Sequence, residues 1–169
     1  KKYARTLHRF LTTTGTFRNR RIDKWLLDDG WAVKVSLDGR RADHDRFRTD
    51  AKGGGTYDRI KRHVRWLADK IPDRFSTTAV LCKGSDPARI FSGKAALGIR
   101  SMEFVPVAAQ PGSPLLPGKQ ELNAYRTFIH NYAKKVAKKK DAPTCIRFQT
   151  QLRRVLGIGN RQIGCGAGR

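Results

Sequence analysis

The chain has 169 residues, with 36 lysines and arginines against 14 aspartates and glutamates, a formal net charge of +22 and a pI near 10.9. Such self-repulsion is ordinarily relieved by a polyanion, and a pI above about 9 is the electrostatic footprint of a nucleic-acid binder. No stretch approaches the ~18–20 apolar residues that span a membrane. Cys82, Cys145 and Cys165 stand too far apart for a C-x-x-C zinc or redox pair and are too few for a disulfide framework, which points to reduced thiols and an intracellular compartment.

From the amino end, residues 1–22 hold seven basic side chains and no acid, with Thr6, Thr12, Thr13, Thr14 and Thr16 among them. Tyr3, Leu7, Phe10 and Leu11 would share one face of a helix. This composition fits an organellar transit sequence and equally an RNA-binding arm. A helix is predicted over about 19–29, capped by Asn19 and stopped by Gly30, with Ile22, Trp25 and Leu26 on one face. Trp31, Val33, Val35 and Leu37 alternate with Ala32, Lys34 and Ser36, which predicts a half-buried strand ending at an Asp38-Gly39 turn. Residues 40–52, charged and mixed in sign, read as a mobile, solvated loop.

Tyr57, Ile60, Val64, Leu67 and Ile71 recur at helical spacing between Thr56, a plausible cap, and Pro72, so a helix is predicted over 56–70. Thr77 to Cys82 and Met102 to Ala108 read as strands. Three prolines fall within residues 110–118, a linker pattern. Beyond it, Leu122, Tyr125, Phe128, Ile129, Tyr132, Ala133 and Val136 keep one helical face, and Lys134, Lys135, Lys138, Lys139 and Lys140 close that helix. A last helix over about 144–156 places Phe148, Leu152, Val155 and Leu156 together, ahead of a glycine-rich tail expected to order only on a partner. The expected fold is α+β (mixed α/β), a small sheet packed by amphipathic helices. It divides into a basic arm (1–22), a body (23–109), the linker (110–118) and a basic helical extension (119–169). Net charges of the arm, the middle and the extension are +7, +5 and +10.

Gly157-Ile158-Gly159 after an amphipathic helix resembles the hairpin of helix-hairpin-helix modules and of one ribosomal small-subunit family, where backbone amides near glycines meet phosphates. A glycine helix stop is the other reading. Ser92-Gly93-Lys94 fails as a phosphate loop because Ala88 and Ala95 stand where a Gly and a Ser or Thr are required. Asp43-His44-Asp45 reads as a solvated face rather than a metal site, and His8, His63 and His130 as isolated surface or phosphate-contacting side chains. With only Glu103 and Glu121 as glutamates and no H-E-x-x-H or G-x-S-x-G, no catalytic motif is legible, and neither a metal nor another cofactor is expected.

These features predict a structural, non-catalytic rRNA-binding protein of a ribosome, most simply a mitochondrial one, partnered by RNA and neighbouring ribosomal proteins, with no small-molecule substrate. A sequence-tolerant DNA-binding protein and an RNA-processing enzyme are the alternatives. The phosphate contacts are assigned to Arg5, Arg9, Arg18, Arg20, Arg21, Arg59, Arg62, Arg65, Lys134, Lys135, Lys138, Lys139, Lys140, Arg147, Arg153, Arg154 and Arg161. Base stacking is assigned to Phe17 and Phe47.

Overall fold

The structure, a computed structural model, describes residues 9–16, 19–138 and 142–158. Five strands, β1 (Phe10–Thr13), β2 (Ala32–Ser36), β3 (Phe75–Leu81), β4 (Ser101–Pro106) and β5 (Thr144–Cys145), form one sheet in the order β1-β2-β3-β4-β5. Every pairing is parallel. The helices are α1 (Arg20–Asp28), α2 (Arg41–Asp45), α3 (Tyr57–Lys70), α4 (Pro87–Ala95), α5 (Lys119–Lys138) and α6 (Ile146–Val155). The mixed α/β fold read from the sequence is therefore present.

Strand order equal to chain order has a geometric consequence. Parallel crossovers are right-handed, so crossovers that all step in one direction put their helices on the same face of the sheet. Burial reports that asymmetry directly. Val33, Val35, Leu37, Phe75, Ala79, Met102 and Phe104 are buried with Leu26 of α1, Ile60, Val64 and Leu67 of α3, Ile90 of α4, and Phe128 and Tyr132 of α5 in one core. The alternate positions, Lys34, Ser36, Ser76, Thr78, Val80, Glu103 and Val105, turn to the opposite, half-exposed face. This is the one-sided layering of a (β/α) barrel wall.

Local chemistry explains most element ends. Asn19 caps α1, its side-chain oxygen accepting the Arg21 N–H at 2.8 Å. Asp86 caps α4 by accepting the N–H groups of Ala88 and Arg89, with Pro87 in the first turn. Gly39, at φ +114°, sits where an added Cβ would stand 3.2 Å from the Ile90 Cα, so only glycine joins β2 to α2 without displacing α4.

Several expectations are corrected. Phe10 and Leu11 belong to β1, not to a helical face, because pairing with Ala32 and Val33 decides their conformation. Trp25 is 44% exposed and leans on Trp31, ring centroids 4.5 Å apart, while Asp23 takes the buried position. The segment 40–52 is not a solvated loop: it contains α2, and His44 is 1% exposed. Thr56 makes no side-chain cap to α3. Helix α4 has no counterpart in the sequence reading. On α6 only Phe148 packs on the core, and Leu152, Val155 and Leu156 are exposed. His63 is buried, 3.3 Å from an Asp23 carboxylate oxygen. Gly157, at φ +66°, ends α6 as a glycine stop, and the hairpin reading from Gly159 onward lies outside the described residues.

Candidate active site

The half-exposed face of the sheet is polar, and the strand register aligns it. Thr12, Lys34 and Ser76 form one row across β1, β2 and β3; Ser36, Thr78 and Glu103 form the next across β2, β3 and β4. Lys34 Nζ donates to Glu103 Oε2 at 2.8 Å, and Thr78 Oγ1 donates to the same oxygen at 3.2 Å. Burial raises the Glu103 pKa, but the Lys34 hydrogen bond and charge, with Thr78, outweigh it and leave the carboxyl below its ordinary range.

At the carboxyl edge of β2 stands Asp38, 6% exposed. Its Oδ1 accepts the Val80 N–H at 2.9 Å, tying the edges of β2 and β3 together, and the Arg48 guanidinium closes on both its oxygens. Arg48 is placed by a relay that starts at the same residue. The Asp38 N–H donates to His44 Nδ1 at 3.3 Å, which leaves the proton on Nε2 to donate to Thr56 Oγ1 at 3.0 Å. Thr56 Oγ1 in turn donates to the Arg48 carbonyl at 2.8 Å. Burial lowers the His44 pKa, only partly opposed by Asp38, which keeps the ring neutral as this relay requires. Asp45 accepts the Tyr57 N–H at 2.8 Å and Asp43 pairs with Arg89, so the Asp43-His44-Asp45 triplet is a structural clasp.

Beside this pair lies a hollow of about 260 Å³ lined by Asp38, Phe47, Arg48, Val80, Cys82, Val107 and Leu115. A guanidinium and a carboxylate thus face an apolar wall at the carboxyl ends of parallel strands, where ligands of open α/β sheets bind. The hollow is below the roughly 300–1,000 Å³ of typical ligand sites. Among the described residues no group of three or more His, Cys, Asp or Glu side chains could hold a metal ion, and no helix is long and apolar enough to cross a membrane.

The sequence-predicted contact residues do not gather here. Arg9 donates to the Asp29 carbonyl at 2.8 Å. Arg20, Arg21, Arg59, Arg62, Arg65, Lys134, Lys135, Lys138, Arg153 and Arg154 lie exposed on helices. Arg147 is half-buried at the start of α6, its Nε 3.4 Å from the Phe104 carbonyl. Phe47 is 47% exposed, with the Arg46 guanidinium 4.6 Å from its ring centroid. Arg5, Phe17, Arg18, Lys139, Lys140 and Arg161 lie outside the described residues. Sequence reasoning passed over Lys34, Asp38, His44, Arg48 and Glu103; the polar alternation Lys34, Ser36, Asp38 along β2 was the available signal.

A one-faced parallel α/β sheet with its polar groups at the strand carboxyl ends is the class the geometry defines. No protein-family model matches the chain. It is 26% identical over 124 residues to a cysteine-type anaerobic sulfatase-maturating enzyme of Clostridium novyi (strain NT), a match covering 71% of this chain and 33% of that enzyme. Among solved structures it resembles native anSMEcpe with bound AdoMet, with a TM-score of 0.78 and 14% identity over 90% of this chain and 44% of that one. It also resembles the form holding AdoMet and the Cp18Cys peptide, with a TM-score of 0.75 and 16% identity over 94% and 45%. The chain thus spans about a third of the curated relative and under half of the solved chains. These findings overturn the expectation of a non-catalytic, mitochondrial ribosomal protein partnered by rRNA and ribosomal proteins: the sequence relative is an enzyme, and the structural neighbours bind AdoMet and a peptide. The expectation failed because net charge reports on association and solubility, not on fold or chemistry.

Proposed function

We propose that this chain is the AdoMet-binding part of an enzyme that modifies a peptide in the manner of a sulfatase-maturating enzyme. The observation that carries the reading is the Arg48–Asp38 pair at the mouth of the polar sheet face. AdoMet has a methionyl carboxylate and ammonium, a ribose diol and an apolar, flat adenine, and the hollow offers counterparts to the carboxylate and the adenine. Arg48 would meet the carboxylate in a charge-assisted hydrogen bond, and Val80, Val107 and Leu115 give adenine an apolar wall. When bound, AdoMet supplies a sulfonium whose carbon substituents are activated. The relay through His44 and Thr56 holds the Arg48 backbone, and the Lys34–Glu103 pair gives the floor a fixed, balanced charge.

The test is AdoMet binding by calorimetry to the intact polypeptide and to Arg48→Gln, with thermal melts to confirm folding. Arg48→Gln is expected to bind at least about tenfold more weakly, the loss of one charge-assisted pair. Decarboxylated AdoMet is expected to bind both proteins equally and weakly. Equal affinity of the unaltered protein for AdoMet and its decarboxylated form refutes the assignment of Arg48, and no AdoMet binding at all refutes the function.

A further inference from the structure

On the other side of the β3–β4 edge the structure has a second, larger hollow of about 380 Å³. Leu81, Phe104, Pro106, Leu122 and Tyr125 make its walls, and Arg147 reaches it from α6. Its volume lies within the range of ligand sites. Arg147 is the charged group left unmatched: beyond one long Nε contact to the Phe104 carbonyl, at 3.4 Å, its guanidinium has no ion pair among the described residues. Glu121, the one carboxylate lining the groove, is already engaged by the N–H groups of Gly84 at 2.9 Å and Gly118 at 2.8 Å. Glu103, the other carboxylate whose charge is felt at Arg147, is held by Lys34 and Thr78 on the opposite face of β4.

The groove lining thus holds one cation, Arg147, with no ion pair among the described residues, and one carboxylate, Glu121, whose charge is met by backbone N–H groups. The first turn of α6 also opens here, and helix amino ends favour negative charge. A small anion alone would leave the apolar walls wet, and an apolar group alone would leave the guanidinium unmatched.

We propose that this groove binds a peptide segment in which an acidic residue follows apolar ones, the apolar side chains against Phe104, Leu122 and Tyr125 and the carboxylate on Arg147. Leu115 lines the AdoMet-side hollow and Pro117 this groove, so residues 107–118 form the rim that separates them. A peptide with its reacting residue over the polar sheet face would cross that rim to reach Arg147. The identity of the occupant as substrate rests on the peptide-modifying reading above; the groove's preference for an acidic, apolar segment does not.

The experiment titrates the intact polypeptide with N-acetyl-Leu-Phe-Glu-amide and its glutamine analogue, followed by NMR and calorimetry. The glutamate peptide is expected to bind at least about fivefold tighter, the order of one exposed charge-assisted contact. Arg147→Met should abolish that preference, Leu122→Glu should weaken both peptides, and Arg153→Met, outside the groove, should change neither. Equal affinity for the two peptides, an unchanged preference in Arg147→Met, or no binding at millimolar peptide overturns the proposal. AdoMet binding measured on the same variants separates the two readings. Arg147→Met should keep AdoMet affinity, and Arg48→Gln should keep peptide affinity. Peptide binding with no AdoMet binding would sink the proposed function and leave the groove standing.

Discussion

Replacing Lys94 by methionine should make the protein more stable. Lys94 lies on α4 with 0% exposure, and its ammonium has no hydrogen-bond partner among the described residues. Burial pulls its pKa from 10.5 to about 7, with the Asp38 carboxylate opposing only in part. At 1.36 kcal/mol per pH unit, the charged form is penalised by about 4–5 kcal/mol in the folded state. Between pH 7 and 10.5 the unfolded chain holds a proton on this lysine that the folded protein has released, so stability rises with pH across that window. Below pH 7 both states are protonated and the folded state carries the whole penalty. Methionine fills similar space without a charge, and relaxation around the lysine returns part of the gain, so Lys94→Met should add about 1–4 kcal/mol at pH 6. Urea denaturation followed by circular dichroism at pH 6 and pH 10 checks this, with the slope m compared to show that the denatured state is unchanged. The advantage should shrink at pH 10, where the native lysine is neutral. Parallel pH dependence of the two proteins, or a methionine variant that is less stable at pH 6, refutes the reasoning.

Leu67→Ala, at a position with 0% exposure in the heart of the core, should cost about 2–5 kcal/mol in the same assay. Arg62→Ala, on the exposed side of the same helix, should stay within about 0.5 kcal/mol, and equal losses would mean that α3 is turned the wrong way. Gly39→Ala should cost about 1–3 kcal/mol, since it combines φ +114° with a Cβ contact to the Ile90 backbone, and a neutral result would show that α4 yields freely. Because burial lowers the His44 pKa, the unfolded chain takes up a proton there before the folded protein does. Stability should fall as pH drops below about 6.5, and His44→Gln should lack that component in pH-dependent melts.

The sequence made the elements legible where the periodic pattern was long or clean. Helix α3 repeats its apolar residues from Tyr57 to Ile71, and β2 alternates without a break, so both emerged with nearly their true bounds. Helix α4 was not legible because Gly93 and Lys94 interrupt its inner face, and a lysine among core positions reads as surface. Phe10 and Leu11 carried helical spacing, and only a partner strand twenty-two residues further along the chain makes them extended. On α6 the apolar stripe was real as a pattern, but Leu152, Val155 and Leu156 are left exposed among the described residues. Periodicity states that a face is apolar and leaves open what covers it.

The candidate site was hidden for an electrostatic reason. Its charged members come in balanced pairs, Lys34 with Glu103 and Arg48 with Asp38, so they add nothing to the net charge that dominated the sequence reading. The unbalanced charge lies on the outer faces of α3 and α5 and on α6, where Arg59, Arg62, Arg65, Lys134, Lys135, Arg153 and Arg154 are exposed. Pairing is what permits charges to stand half-buried on a sheet face, since an isolated ion there would be penalised by desolvation. A compositional count therefore selects against a site built this way. The signal that survives in one sequence is local: a strand whose buried positions are Val33, Val35 and Leu37 carries Lys34, Ser36 and Asp38 on its other side. One face of such a strand is satisfied by the core. The other ends in a carboxylate at the carboxyl edge of a parallel sheet, the place where ligands of open α/β sheets bind.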